Sequence, residues 1–218
     1  MRRRALATVT VLALAAAAGS AARAGISGTK HDLSVSGPGP IKSTAETETC
    51  RFCHAPHRGA GQRPLWNRRD PGSVFRRSNA MTFDAFYGTD APAPDGASLM
   101  CLSCHDGTIA VGAVVHGATA GSAPAIPSTS RAYIGRDLSG THPVSFVYTD
   151  ELVARNNQKD MPLRSVAEVR AAKALDARDK VQCTSCHDPH SDANRGASGV
   201  PFYRGAEFSE VCARCHRF

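Results

Sequence analysis

Beyond residue 24 the sequence has no long apolar run, no unpaired cysteine, no block of like charge and few aromatic rings. Each lack excludes something. A helical membrane span needs about 20 consecutive apolar residues, so none is expected after the leader, and the processed chain should be soluble. The formal net charge is +7, but the arginines are scattered, with only short pairs such as Arg68-Arg69 and Arg76-Arg77. That pattern suits solvated loops or small anionic partners and argues against nucleic acid. Aromatics make up 6% of the 218 residues, with a single tryptophan. The 42% apolar fraction is inflated by an alanine-rich start. Such a chain buries little side-chain core of its own and leans on other staples.

The start is the one strongly apolar segment. Arg2, Arg3 and Arg4 precede the short run Leu6–Ala18, and Ala22-Arg23-Ala24 fits a small-residue cleavage site. Residues 1–24 are expected to be a secretory signal peptide. They carry four of the arginines and no acid, so residues 25–218 keep only a small positive excess.

What the sequence does have is cysteine in strict order. Its eight cysteines fall as Cys50/Cys53, Cys101/Cys104, Cys183/Cys186 and Cys212/Cys215. Every pair is C-x-x-C, and a histidine follows each at once: His54, His105, His187 and His216. Zinc ribbons, disulfides and redox dithiols use C-x-x-C pairs, but none demands that histidine. Covalent attachment of a c-type haem does: the two thiols bond to the porphyrin and the histidine ligates the iron. On one helical turn the thiols at i and i+3 face one way, and the imidazole at i+4 follows them. Four covalently bound c-type haems are therefore expected. Short helices are expected before the motifs. Ser165–Glu168 has the form of a capping box opening a helix that runs toward Asp179, and Ser209 is placed to cap a last helix carrying Cys212 to His216.

Five histidines remain: His31, His57, His116, His142 and His190. A haem iron takes a second axial ligand or stays open to substrate. His57 and His190 each lie three residues past a proximal histidine, in CHAPH and CHDPH. That distance is too short to round the same haem, so each is expected to ligate a neighbouring one, with Pro56 and Pro189 turning it out of the helix. The competing role is a hydrogen bond to a haem carboxylate, or simple exposure to solvent. The halves repeat: KHDLSVS, CRFCHAPH, CLSCH, then THPVSFV, CTSCHDPH, CARCH. His31 and His57 are thus assigned to the first haem pair, and His142 and His190 to the second, with the partner of each left open. His116 is surplus in a small-residue loop, and Met81, Met100 and Met161 are assigned to packing. The expected division is a first dihaem module at 25–116, a linker at 117–140 and a second dihaem module at 141–218.

His-Asp-Leu-Ser, CxxCHxPH, Pro-Leu-Trp-Asn-Arg, CLSCHDGTIA and His-Pro-Val together resemble the secreted multihaem cytochromes with doubled CxxCH motifs. The resemblance covers most of residues 25–218. It implies a fold of mostly irregular coil with few short α-helices, little or no β-sheet, organised around stacked haems. It also implies distal ligation by His31, His57, His142 and His190. Four-haem members of this length resemble subunits of extracellular cytochrome filaments, in some of which a histidine of one subunit ligates a haem of the next. The arm bearing His31 is the matching segment here.

The expected function is electron transfer through haems closed by histidine on both faces, in the periplasm or at the cell exterior. Partners would be other redox proteins (cytochromes, quinol-linked donors), extracellular acceptors, or further copies of the chain. The alternative is a multihaem reductase of nitrite, hydroxylamine or sulfur oxyanions, which needs one open iron. The histidine surplus argues against it, and no motif replaces its proximal histidine by lysine.

Overall fold

The computed structural model describes residues 25–57, 65–77, 92–117, 123–156, 162–195 and 199–218. The leader, Met81, Met161 and the aromatics Phe83, Phe86 and Tyr87 lie outside them. Within them the chain is mostly coil. A 3-10 turn at Thr49–Phe52 precedes five short helices: α1 (Gly96–His105), α2 (Asp150–Asn156), α3 (Val166–Ala171), α4 (Cys183–Cys186) and α5 (Phe208–Cys212). Among the described residues there is no strand, only isolated bridges such as His54 with Trp66 and His187 with Tyr203. None of their helices is long and apolar enough to cross a membrane. The expected coil-rich fold is what forms.

The helices stop for local reasons. α1 ends where Gly107 takes a left-handed φ of +74° and donates its N–H to Cys104 O. A side chain there would begin 2.4 Å from the Tyr133 ring. In α3 the capping box forms as expected: Glu168 N–H donates to Ser165 Oγ at 3.3 Å and Ser165 N–H to Glu168 Oε2 at 2.8 Å. The helix does not run to Asp179. Lys173 turns left-handed (φ 54°), and Lys173 N–H and Ala174 N–H return to Arg170 O and Val169 O. That is a Schellman ending, closed by apolar contact between buried Ala174 and Val169. It uses lysine rather than glycine, so nothing in the composition announces it. Ser209 does not cap α5 either. It lies inside the helix, and Glu207 takes the N-cap position with Glu210 as its capping-box partner.

Two small apolar clusters take the place of a single core. One gathers Phe52, Val111, Ala123 and Ile126, with Cys53 and Cys104 at its margin. The other gathers Phe146, Tyr148, Leu152, Leu163, Val169, Ala174 and Val181, with Cys215 against it. Ala123 and Ile126 of the first cluster come from the segment 117–140 that the sequence suggested as a linker. Ala123 and Pro124 carbonyls accept from Gly112 and Val111, and Ile134 N–H donates to His105 O.

α1 and α4 join the halves through buried Gln182. Its Oε1 accepts from the N–H and hydroxyl of Ser98, and its Nε2 donates to Asp95 Oδ1 and Asp176 Oδ2, both at 3.1 Å. Ser98 Oγ in turn accepts Cys183 N–H at 3.1 Å. Gln182→Ala strips a satisfied buried amide from this junction. It should lower the unfolding free energy by about 2–4 kcal/mol, read from denaturant midpoints.

Glu168 supplies a pH signature. Its bonds from Ser165 and from Arg217 hold the carboxyl at about 2, below the ordinary 4.5. A depressed carboxyl adds stability above its unfolded value and loses it as pH falls toward the folded one. The stability difference between the native chain and Glu168→Gln should therefore be constant near neutrality, shrink below about pH 4.5 and vanish near pH 2, as followed by thermal melts.

Candidate functional site

Each C-x-x-C-H forms one tight turn. His54 N–H donates to Cys50 O at 2.8 Å, His187 N–H to Cys183 O at 3.0 Å and His216 N–H to Cys212 O at 2.9 Å. The second motif continues α1, so Cys101, Cys104 and His105 share one helix. All eight cysteines are free thiols. Among the described residues no three His, Cys, Asp or Glu side chains converge as a single metal ion would need.

Turns of four or five residues cannot hold themselves in water. A clamp, repeated three times, holds them here. Asn67 donates its N–H to Cys53 O and its Nδ2 to Arg51 O, both at 2.8 Å. Arg204 donates its N–H to Cys186 O at 2.9 Å and its Nε to Thr184 O at 2.7 Å. Arg164 donates its N–H to Cys215 O at 2.7 Å and its Nε to Ala213 O at 2.6 Å. One residue thus caps two end carbonyls of each turn. The sequence reading missed these clamps. Their signal was a proline two or three residues ahead: Pro64, Pro201 and Pro162.

The second motif is held differently. Ile134 and Gly135 N–H both meet His105 O. Fully buried Arg68 donates to Ser103 Oγ and O, Ala110 O and Val111 O. Every one of those acceptors is a neutral oxygen.

The proximal rings are aligned from behind. His105 Nδ1–H donates to Ala132 O at 2.7 Å, and His187 Nδ1–H to Pro201 O at 3.3 Å. This fixes the tautomer with Nε2 available to a metal. Trp66 packs edge-on against His54 at 5.8 Å and Tyr203 against His187 at 5.5 Å.

The remaining histidines separate into two groups. His31 stacks on Phe202 at 4.1 Å, with its ring centre 6.1 Å from that of His105. Burial, then the neighbouring His105, lowers its pKa to about 4. His190 lies 6.0 Å from His54, rings nearly parallel at 18°. Both therefore sit beside proximal histidines of the first half, whereas the sequence division gave His190 to the second. A three-residue separation fixes only which haem His190 cannot reach. His57 is exposed, and His142 Nδ1 donates to Pro143 O at 2.9 Å. His116 is tied through its backbone to Asn67. Met100 is half-buried in α1.

Successive motifs come within electrostatic reach through their thiols. Cys53 is pushed up to about 12 by burial, with Cys104 adding to the shift. Cys101 donates its S–H to Cys183, which raises the one and lowers the other. Burial raises Cys186, with Cys212 as the next cause. Thiols of successive motifs are thus neighbours.

The chain's own atoms fit a haem. The thiols are paired on single turns, the imidazoles are oriented, and the indole Nε1–H of Trp66 is buried without an acceptor. A haem carboxylate is the kind of acceptor that position lacks. A family model described as the doubled CXXCH motif matches residues 176–218, which hold the third and fourth motifs. No curated protein matches the chain. The match covers about a fifth of the chain, and its paired CXXCH motifs are of the kind that attach c-type haem in multihaem cytochromes.

Arg68→Met keeps volume but removes the donors that Arg68 directs at Ser103 Oγ and O, Ala110 O and Val111 O. It should cost about 3 kcal/mol or more in denaturant unfolding, whereas Arg69→Met on the exposed neighbour should cost under about 0.5 kcal/mol.

Proposed function

We propose that the chain is a secreted tetrahaem c-type cytochrome that carries electrons, in the periplasm or outside the cell, through haems closed by histidine on both faces. The observation that carries this reading is the fourfold C-x-x-C-H turn, each copy with paired thiols and a histidine following at once. Bound haem supplies reversible one-electron exchange at iron. The chain's part is to hold and space the haems. Cys50, Cys53, Cys101, Cys104, Cys183, Cys186, Cys212 and Cys215 attach them, and His54, His105, His187 and His216 ligate from the proximal side. His31, His57, His142 and His190 are the distal ligands. The thiol contact between Cys101 and Cys183 supports a route between the halves, since it brings attachment points of the second and third motifs together. Its partners are other redox proteins, extracellular acceptors or further copies of the chain.

Bis-histidine ligation keeps potentials low, because axial methionine would raise them. It also leaves no iron for substrate. Absorption and electron paramagnetic resonance spectra of the purified ferric protein should show four low-spin haems per chain, unchanged by nitrite or hydroxylamine. A high-spin component that shifts on adding either anion or amine would instead establish an open iron and a reductase.

A further inference from the structure

The histidine of the third motif's CHDPH faces the first motif, not its own half. Two imidazoles on opposite sides of one metal each bind through nitrogen at about 2 Å. Adding the distance from nitrogen to ring centre on either side puts such rings about 6 Å apart. The structure shows that spacing for His54 with His190, at 6.0 Å, and for His31 with His105, at 6.1 Å. The planes of two such rings both contain the ligation axis, so the angles of 18° and 64° between them are both compatible with it. Resting on the haem reading above, we propose that His190 is the distal ligand of the haem attached at Cys50 and Cys53, and His31 that of the haem at Cys101 and Cys104.

The loop around His190 is built to hold both ligands. Asp188 Oδ1 accepts His190 N–H at 3.0 Å, fixing the turn. The Pro189 carbonyl accepts a ring N–H of His31, leaving the other ring nitrogen for a metal. Phe202, on which His31 stacks, is anchored to the same loop by Asp188 N–H donating to its carbonyl at 2.7 Å. One tripeptide, Asp188-Pro189-His190, therefore braces the distal ligands of both first-half haems. The two halves are laced together, and His57, His116 and His142 are the histidines left for the second half's irons.

The test uses the haem-loaded protein. His190→Ala should turn one ferric low-spin haem high-spin in electron paramagnetic resonance. His190→Met should give one haem an axial methionine, whose methyl resonance moves far upfield in the reduced protein. Nuclear Overhauser contacts from that methyl should lead to the haem bearing the Cys50 and Cys53 thioethers. Contacts leading to the haem on Cys183 and Cys186, or on Cys212 and Cys215, would overturn the assignment, as would a His190→Ala protein with every haem still low-spin. Where the His190 variants do not fold, His31→Met reads the second pair in the same way, with contacts expected to the Cys101 and Cys104 haem. A native chain with no covalent haem in its pyridine haemochrome spectrum is a separate result, and it would remove the haem reading itself.

Discussion

Everything in this molecule depends on keeping a single helical turn closed. Two thiols and an imidazole share a side only while the turn is wound, and one turn alone unwinds because its end carbonyls lack partners. Asn67, Arg164 and Arg204 supply those partners from segments 14 to 51 residues away in sequence, each with a backbone N–H and a side-chain donor. Once the backbone is spent on such clamps, little is left to build ladders. The described residues accordingly show isolated bridges and no sheet. Three of those bridges, His54 with Trp66, His187 with Tyr203 and His216 with Leu163, are the clamps seen one residue earlier.

The clamps also set the charge around the thiols. Arg68 lies near Cys53 and Cys104, Arg204 near Cys186 and Arg164 near Cys215, and each favours the thiolate. Burial opposes them and wins, since Cys53 ends at about 12 and Cys215 at about 11. The donors of these arginines satisfy carbonyls; Arg68 is buried, whereas Arg164 and Arg204 keep part of their side chains exposed.

The sequence revealed whatever was local. Motif spacing and the Ser165 capping box follow from neighbours along the chain, while the near absence of sheet was implied by the resemblance to multihaem cytochromes. The Schellman ending at Lys173 was hidden because a lysine there carries no glycine signature. Glu207 rather than Ser209 caps α5 because capping depends on which residue sits just outside the first turn, and serine one turn-position later cannot serve. The clamps were out of view for a different reason: Asn67 and Arg204 act on turns that precede them, and Arg164 on one that follows. No fixed offset links them to their motifs. The partner of His190 was hidden in the same way. Its distance from His187 bears on one haem only, while its distance from His54 is a property of the folded chain.

The two halves repeat one order of motifs but close unequally. Leu65 and Phe202 occupy matching places. Each has a left-handed φ (57° and 59°), and each carbonyl accepts the N–H of the residue after a proximal histidine. Leu65 is 49% exposed, whereas Phe202 is 4% exposed beneath the ring of His31. An aromatic in the second copy thus receives the arm of the first, and its leucine counterpart has no such cover among the described residues. Repetition of the motifs alone would leave each half closed on itself. The stacking of His31 on Phe202, and the place of His190 beside His54, tie the first half to the second. The left-handed φ is common to both positions, so it does not decide their burial; the difference lies in the side chain, because the Phe202 ring offers His31 a stacking face that leucine lacks.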